Sequence, residues 1–354
     1  MRIEVSAPGK LILLGEYSVL FGAPAAVMAV NRRTRVELAP SESDYWTLMA
    51  PDLAPRPVEL DVGRGGVVKW RDDELGRGSF GLVERLLGEL DHAGVVGLTQ
   101  LAPLAATLDT REFFISRGDS HCKLGLGSSA ALTVALASAL VAWADDGRMP
   151  NADAGWLQTL VDLHRRMQGG LGSGIDVAAS VLGGVSRFQL GEDSSVMVAQ
   201  PMALPFDLQL LFIWTGRSAS TSGFLERLEA RRAVHPHGVD RAISRLGELS
   251  EAGVDALESE AAGAFLDTVD GFWDALEALG REIEMPILSE EHKRLRRLAA
   301  ESGVRYKPSG AGGGDLGIAF AVDSVAMQET AARVEAEGFA VLDLAADPRG
   351  FTIS

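Results

Sequence analysis

The chain has 354 residues, 47% of them hydrophobic and 23% charged, a globular composition with enough residues for two domains. A net charge of −16 disfavours binding to nucleic acid or to an anionic membrane surface. The single cysteine, Cys122, excludes a disulfide framework and suits a reducing compartment. The N-terminus lacks an apolar signal segment and no apolar run reaches ~18 residues, so we expect a cytoplasmic protein without a membrane span.

The predicted elements begin with two short strands, at residues 2–7 and 11–14, which a turn at Pro8-Gly9 separates. The next strand is expected at 25–38. Two helices follow, at 128–143 and at 154–168, and the first is apolar on all sides, which predicts that it is buried.

The C-terminal half begins with strands at 185–190 and 208–214. A long helical stretch at 220–303 should break near Pro236, Gly253 and Pro286, and it could form a dimer face in a homodimer. The tail alternates strand, helix and strand. Because the strands and helices mix without regular βαβ alternation, the sequence predicts an α+β fold with domains at 1–190 and 191–354.

The segment KLGLGSSAAL, from Lys123 to Leu132, is the most informative motif. Gly125 and Gly127 remove side chains just before a helix that starts at Ser128-Ser129. The N-terminus of a helix offers unpaired main-chain N–H groups and a partial positive charge, which together bind phosphate. A serine at this place can also ligate Mg²⁺. A glycine turn with a serine N-cap is the alternative interpretation.

The same letters also satisfy the dinucleotide fingerprint G-x-G-x-x-A, at Gly125, Gly127 and Ala130. That fingerprint needs an acidic residue roughly 20 positions further on, after a second strand. Asp145 and Asp146 instead end the helix itself, which disfavours NAD binding. A Walker P-loop is absent from the sequence.

Three other segments carry polar residues that glycines adjoin. The loop KPSGAGGGD, from Lys307 to Asp315, has four glycines in five positions, so its backbone can approach a ligand closely. Lys10 follows Pro8-Gly9, and Glu16-Tyr17 follow Gly15. Asp176 stands inside an apolar helix after a glycine-serine turn, where Lys10 could hold it ionised. His164 lies on an apolar stripe, which favours a core histidine over a functional one.

These four segments, in this order, resemble those of the GHMP kinases: PGKLILLGEYSVLFG, GLGSSAA, SGIDVA and GAGGGD. The resemblance touches both halves of the chain. Within the family, the details resemble the phosphomevalonate kinase branch, including GEY in place of GEH and WTGRSASTS at 214–222. It implies an N-terminal domain like domain 2 of ribosomal protein S5 and a ferredoxin-like C-terminal domain, with the site between them.

By resemblance, the chain uses ATP and Mg²⁺ to phosphorylate a small anionic substrate, 5-phosphomevalonate. The implied catalytic residues are Lys10 and Asp176, and Ser129 helps to place the metal. The implied nucleotide-binding residues are Lys123, Gly125, Leu126, Gly127, Ser128, Ser129 and Ala130. The implied substrate-binding residues are Glu16, Tyr17, Ser173, Gly174, Thr215, Arg217, Ser220, Ser222, Lys307, Ser309, Gly310, Ala311, Gly312 and Gly313.

One departure from the family pattern bears on the metal. Mevalonate kinases carry a glutamate metal ligand 11 residues before the aspartate, and Arg165 stands at that position here. The alternatives that stay open are mevalonate kinase, another GHMP kinase that acts on a hydroxyl, and a non-catalytic paralogue that senses a ligand.

Overall fold

The computed structural model describes residues 1–117, 120–148, 150–170, 172–193, 195–218 and 221–354. The strands are β1 (Ile3–Leu14), β2 (Ala25–Pro40), β3 (Trp46–Met49), β4 (Val58–Val62), β5 (Val68–Trp70), β6 (Leu104–Asp109), β7 (Phe114–Arg117), β8 (Ser120–Lys123), β9 (Val185–Leu190), β10 (Val196–Met202), β11 (Gln209–Trp214), β12 (Arg305–Ser309), β13 (Leu316–Ala321), β14 (Ala340–Leu342) and β15 (Thr352–Ile353). The α-helices are α1 (Asp73–His92), α2 (Ser128–Ala144), α3 (Ala154–Met167), α4 (Ile175–Leu182), α5 (Thr221–Val234), α6 (Pro236–Glu258), α7 (Ala262–Glu282), α8 (Glu290–Ala300) and α9 (Ser324–Ala336).

The N-terminal half is built on a nine-stranded sheet in which the long strand β2 is central. β1 pairs with β2 antiparallel along most of its length, and β9 and β6 pair with β2 as well. Helix α2 packs on β1 and β2 and also contacts α3 and α4. Nearly all of α2 is buried, which confirms the prediction from its apolar sequence.

The C-terminal half contains a four-stranded antiparallel sheet in the order β12-β13-β11-β14. In chain order the elements run strand, helices, two strands, helix and strand, which is the ferredoxin-like βαββαβ arrangement. Helices α7, α8 and α9 pack against this sheet. The predicted α+β fold with a ferredoxin-like C-terminal domain is therefore confirmed.

Two sequence-based predictions about element boundaries were wrong. Pro8-Gly9 does not end a strand, because β1 continues through it with an irregularity in its register to β2. Gly253 does not break a helix, because α6 runs through it. A Cβ at Gly253 would lie 2.2 Å from Leu14 Cδ2, so glycine there lets α6 pack closely on β1.

The N-terminal sheet reaches beyond residue 190, the predicted domain boundary. Strand β10 extends it to Met202, and β15 pairs with β1 at the end of the chain. Buried Arg33 fastens this tail, with Nη1 2.6 Å from Asp347 Oδ2 and Nη2 donating to Gly350 O at 2.8 Å. No helix in the described part of the chain is long and apolar enough to cross a membrane.

Candidate active site

The glycine-rich loop between β8 and α2 lies directly against β1. Gly125 and Gly127 have φ angles of 78° and 75°, in the left-handed region that favours glycine. Lys10 N donates a hydrogen bond to Leu126 O at 2.9 Å, which fixes the loop to the strand. A Cβ at Gly127 would lie 3.0 Å from Lys10 Cγ, so the lysine side chain passes close over the loop.

The N-terminus of α2 has no side-chain cap. The first helical hydrogen bond runs from Ala131 N to Gly127 O at 3.1 Å, so the N–H groups of residues 128–130 precede it. Helices α1, α3, α8 and α9, by contrast, are capped by Asp72, Asp153, Ser289 and Asp323. The start of α2 is therefore available to an anion.

Lys10 and Asp176 meet beside this loop. Lys10 Nζ is 3.5 Å from Asp176 Oδ1, and the side chains are 9% and 32% exposed. Asp176 stands in the first turn of α4, which begins after Gly174 in the left-handed conformation and also lacks a side-chain cap. A cation and a carboxylate are thus held together at the converging starts of two helices.

A cavity of about 350 Å³ opens next to this pair. Five apolar side chains form one part of its wall: Ile12, Val19, Leu20, Ile175 and Leu225. The polar side chains of the wall are Lys10, Glu16, Tyr17, His164, Gln168, Ser173 and Asp176. Gly310 and Ala311 from the C-terminal half complete it, so the cavity lies between the two halves.

A buried ion pair lies behind the cavity and joins its two sides. Lys307 Nζ is 2.5 Å from Glu16 Oε1, and the side chains are 0% and 2% exposed. The same ammonium donates to Pro308 O at 2.7 Å, and Gly310 N donates to Glu16 Oε1 at 3.2 Å. Burial lowers the pKa of Lys307, and the Glu16 carboxylate opposes that effect. Glu16 Oε2 has no hydrogen-bond partner among the described residues.

Three further hydrogen bonds attach the C-terminal half to β1 and to the turn after it. Ser309 Oγ accepts from Ile12 N at 2.9 Å and donates to Ile12 O at 3.0 Å, so its hydroxyl is engaged with main chain. Tyr17 OH donates to Ala311 O at 2.5 Å. Tyr17 has a φ of 62°, a strained conformation for a tyrosine, and burial followed by the nearby Glu16 carboxylate raises its pKa.

The glycine loop after β12 is held by main-chain contacts and by one buried histidine. Gly313 N donates to Ile287 O at 2.7 Å, and a Cβ at Gly312 would lie 2.3 Å from that oxygen. His292 Nε2 is 2.9 Å from Gly314 O, while Nδ1 is 2.8 Å from the hydroxyl of Tyr306. Burial lowers the pKa of His292 to about 4, so the ring is neutral and donates to the carbonyl.

The segment after β11 reaches a different place from the one expected. Arg217 lines a second depression together with Gly313, and its half-exposed side chain pairs with Glu291 at 3.4 Å. Thr215 is buried, and its hydroxyl bonds to Arg217 O. Neither of them lines the cavity beside Lys10. Ser220 and the side chain of Ser222 lie outside the described residues.

Asp315 is a residue of the site that the sequence analysis did not single out. A Cβ at Gly125 would lie 2.7 Å from Asp315 Oδ2. The side chain of Asp315, from the C-terminal half, therefore lies against the glycine loop of the N-terminal half. Ser218 Oγ donates to Asp315 Oδ1 at 3.2 Å. The pKa of Lys123 is lowered, mainly because burial desolvates the ammonium group, and the charge of Asp315 opposes this effect. The aspartate that ends the GAGGGD motif was the available signal.

His164 is buried as expected, but it also lines the cavity. Its Nε2 lies 3.3 Å from Ser129 Oγ and 3.3 Å from Gln168 Nε2. Burial lowers the pKa of His164, although Asp176 acts in the opposite direction, so the neutral ring is favoured. The neighbouring Arg165 donates to Gly172 O at 3.0 Å and to Ser173 O at 2.9 Å.

Comparison with known proteins shows which family the chain resembles. A family model described as "GHMP kinases N terminal domain" matches residues 105–184, which include the α2 loop and Asp176. The fold resembles Streptococcus pneumoniae phosphomevalonate kinase in complex with phosphomevalonate and AMPPNP, with a TM-score of 0.76, 20% identity and coverage of 97% and 99% of the two chains. The chain therefore contains a segment that matches the GHMP kinase family model, and over its whole length its fold resembles that of a kinase.

Two relatives with known names represent two different kinases. The chain is 29% identical to phosphomevalonate kinase of Streptomyces sp. (strain CL190), over 97% of this chain and 96% of that protein. It is also 29% identical to mevalonate kinase of Mus musculus, over 89% of this chain and 85% of that protein. The expected resemblance to the GHMP kinases is confirmed.

Proposed function

We propose that the chain transfers the γ-phosphoryl group of ATP to 5-phosphomevalonate, giving 5-diphosphomevalonate and ADP. The observation that carries the proposal is the position of Lys10 and Asp176, 3.5 Å apart, beside the uncapped start of α2 and at the edge of the cavity. A near full-length phosphomevalonate kinase relative supports this acceptor.

In this proposal the triphosphate lies over Gly125 to Ala130, where main-chain N–H groups and the helix dipole meet its charge. An oxygen of the acceptor phosphate attacks the γ-phosphorus in line, the bond from that phosphorus to the β,γ-bridging oxygen breaks, and ADP leaves with the electron pair. Because the attacking oxygen is already ionised near neutral pH, the reaction has little need of a base. Asp176 therefore orients Lys10, and Lys10 stabilises the charge that develops during transfer.

The residues present fit a magnesium ion that the nucleotide brings with it. Ser129 offers a hydroxyl at the start of α2, and position 165 offers an arginine in place of a carboxylate. The described residues contain no cluster of three His, Cys, Asp or Glu side chains that would hold a metal alone. Mg²⁺ is commonly bound by substrate phosphates, waters and one or two protein ligands, and it would neutralise charge on the transferred group. Ser129 is the ligand that we propose.

We propose that the domain at residues 1–190 binds the nucleotide phosphates and that the domain at 191–354 provides the glycine loop that closes over the acceptor. Glu16, Tyr17, Ser173, Gly174, Gly310 and Ala311 face the acceptor cavity in this proposal. Lys307, Ser309, Gly312 and Gly313 shape that loop from behind. Thr215 and Arg217 act from its outer side, next to Gly313.

Mevalonate is the second candidate acceptor. One observation favours it: Glu16 is already paired with buried Lys307, and the one lysine among the residues that line the cavity, Lys10, is paired with Asp176. An acceptor with a hydroxyl would bring less negative charge, and Asp176 could then take the proton of that hydroxyl. Mevalonate kinases are also among the relatives.

The test is a coupled assay of ADP release under saturating Mg·ATP, with phosphomevalonate and mevalonate compared at equal concentrations. We expect turnover with phosphomevalonate to dominate. Replacing Lys10 by alanine should reduce kcat by roughly 10²–10³-fold, as loss of a central electrostatic donor does. The matched control is K69A, a change of an exposed lysine on β5. Wild-type turnover in K10A would contradict the assignment, and binding without any turnover would indicate a ligand sensor.

A further inference from the structure

His164 and Ser129 form a polar contact between α3 and α2 at the edge of the cavity. His164 Nε2 lies 3.3 Å from Ser129 Oγ, and the same nitrogen lies 3.3 Å from Gln168 Nε2. His164 is 5% exposed. The His164 ring therefore lies between Ser129 and Gln168. Whether its Nε2 carries a proton depends on whether these two neighbours donate or accept a hydrogen bond.

The amide nitrogen of Gln168 carries hydrogens and can only donate. An N–H at that ring position would face the amide hydrogens of Gln168, which favours the neutral tautomer with its lone pair on Nε2 and its proton on Nδ1. Ser129 faces the same lone pair, and its hydroxyl donates to it. The lone pairs of Ser129 Oγ consequently point away from the ring.

This direction of the hydroxyl matters because a serine oxygen binds a cation only through a lone pair. The other oxygen of Ser129, its carbonyl, already accepts from Thr133 Oγ1 at 2.9 Å. The hydroxyl oxygen is then the remaining oxygen of this residue, in the first turn of α2. In metal sites, a neighbouring group that hydrogen-bonds to a ligand commonly fixes the orientation of that ligand.

We propose, on the basis of the function given above, that His164 is a positioning residue that holds the Ser129 hydroxyl as an oxygen ligand for the divalent cation of the nucleotide. His164 acts only through Ser129 and does not touch the nucleotide. The proposal assigns a role to a histidine that the sequence pattern places in the core, and it explains why a polar ring is buried at this point.

A second contact between the same helices provides a matched comparison. Trp156 Nε1 donates to Ser138 Oγ at 3.3 Å, further along α2 and nearer the start of α3. There the serine receives a hydrogen bond from a ring instead of giving one, and it is fully buried in the middle of α2, away from the start of the helix. Removing the Ser138 hydroxyl should loosen the same pair of helices without any effect on metal binding.

The experiment measures the dissociation constant for Mn²⁺ in the presence of saturating ADP, by the electron paramagnetic resonance signal of free Mn²⁺. The variants are H164L, which removes the acceptor, H164Q, whose amide oxygen can replace it, S129A, the double variant S129A/H164L, and S138A as the control. ADP binding in EDTA is measured alongside by calorimetry, because it reports the phosphate loop without the metal.

We expect H164L to raise the Mn²⁺ dissociation constant about 10–100-fold, the range for loss of a ligand's hydrogen-bonding partner. Metal-free ADP binding should stay at the wild-type value. H164Q should recover most of the affinity, S138A should bind Mn²⁺ as the wild type does, and S129A/H164L should be no worse than S129A alone.

Wild-type Mn²⁺ affinity in H164L would overturn the inference, and so would an additive loss in the double variant. If H164L does not fold, His164→Asn takes its place, because the shorter amide cannot reach Ser129 and should weaken Mn²⁺ binding equally. A wild-type protein that binds neither ADP nor Mn²⁺ with ADP would instead overturn the proposed function itself.

Discussion

The buried ion pair between Lys307 and Glu16 gives the sharpest prediction for stability. Lys307 is fully buried, and its ammonium donates to Glu16 Oε1 and to Pro308 O. In the variant K307M, the Glu16 carboxylate would stay in the interior with Gly310 N as its one remaining donor. Removing one partner of a buried pair costs about 3–5 kcal/mol, because the other charge is left uncompensated.

The measurement is the free energy of unfolding from urea denaturation of the wild type, K307M, E16Q and K307M/E16Q. We expect the double variant to be more stable than K307M, since it contains no buried unpaired charge. The control is K293M, which breaks a surface pair with Glu290 and should change stability by no more than about 1 kcal/mol. A loss below about 1 kcal/mol in K307M would refute the reasoning that this charge is truly uncompensated.

Three other variants test the surroundings of the site. Burial lowers the pKa of His292 to about 4, against 6.5 for the free group, so the unfolded chain binds the proton first and stability falls as pH drops below 6.5. In urea denaturation the loss between pH 7.5 and pH 5 should be about 2 kcal/mol, and H292Q should flatten it. G127A places a Cβ at a φ of 75° and 3.0 Å from Lys10, and the strain of ~1–2 kcal/mol should raise the KM for Mg·ATP roughly tenfold in the coupled assay. Y17F removes the hydrogen bond to Ala311 O, so the KM for the acceptor should rise while the KM for Mg·ATP stays constant.

The sequence alone predicted the resemblance to the GHMP kinases, the α+β fold and the buried helix α2, because each depends on local signals. Glycines before a helix start, and an apolar segment on all sides, can be recognised without knowing what they pack against. The roles of Lys10, Asp176 and the loop at 125–130 stay predictions, although the structure brings them together. The Pro8-Gly9 and Gly253 errors share a cause: packing against a neighbouring element overrode the local preference for a break.

The contacts that the sequence could not predict are those between residues far apart along the chain. The apolar periodicity of α3 predicts that His164 is a core residue. Its contact with Ser129 arises because α2 and α3 pack against each other. Asp315 likewise gains its place from the approach of the C-terminal loop to Gly125. Side-chain periodicity reports which face of an element is buried, but it does not report which residue lies opposite.

The glycine loop and the opposite wall of the cavity are attached to the protein in different ways. This difference predicts which ligand a given substitution weakens first. The glycine loop at residues 125–130 is fixed within the N-terminal half by the hydrogen bond from Lys10 N to Leu126 O. The opposite wall instead depends on pairs that join the two halves of the chain, Glu16 with Lys307 and Tyr17 with Ala311. Loosening those pairs should therefore weaken acceptor binding before it affects the nucleotide. K307M and Y17F share this expectation, whereas G127A, which acts inside one half, should show the opposite order.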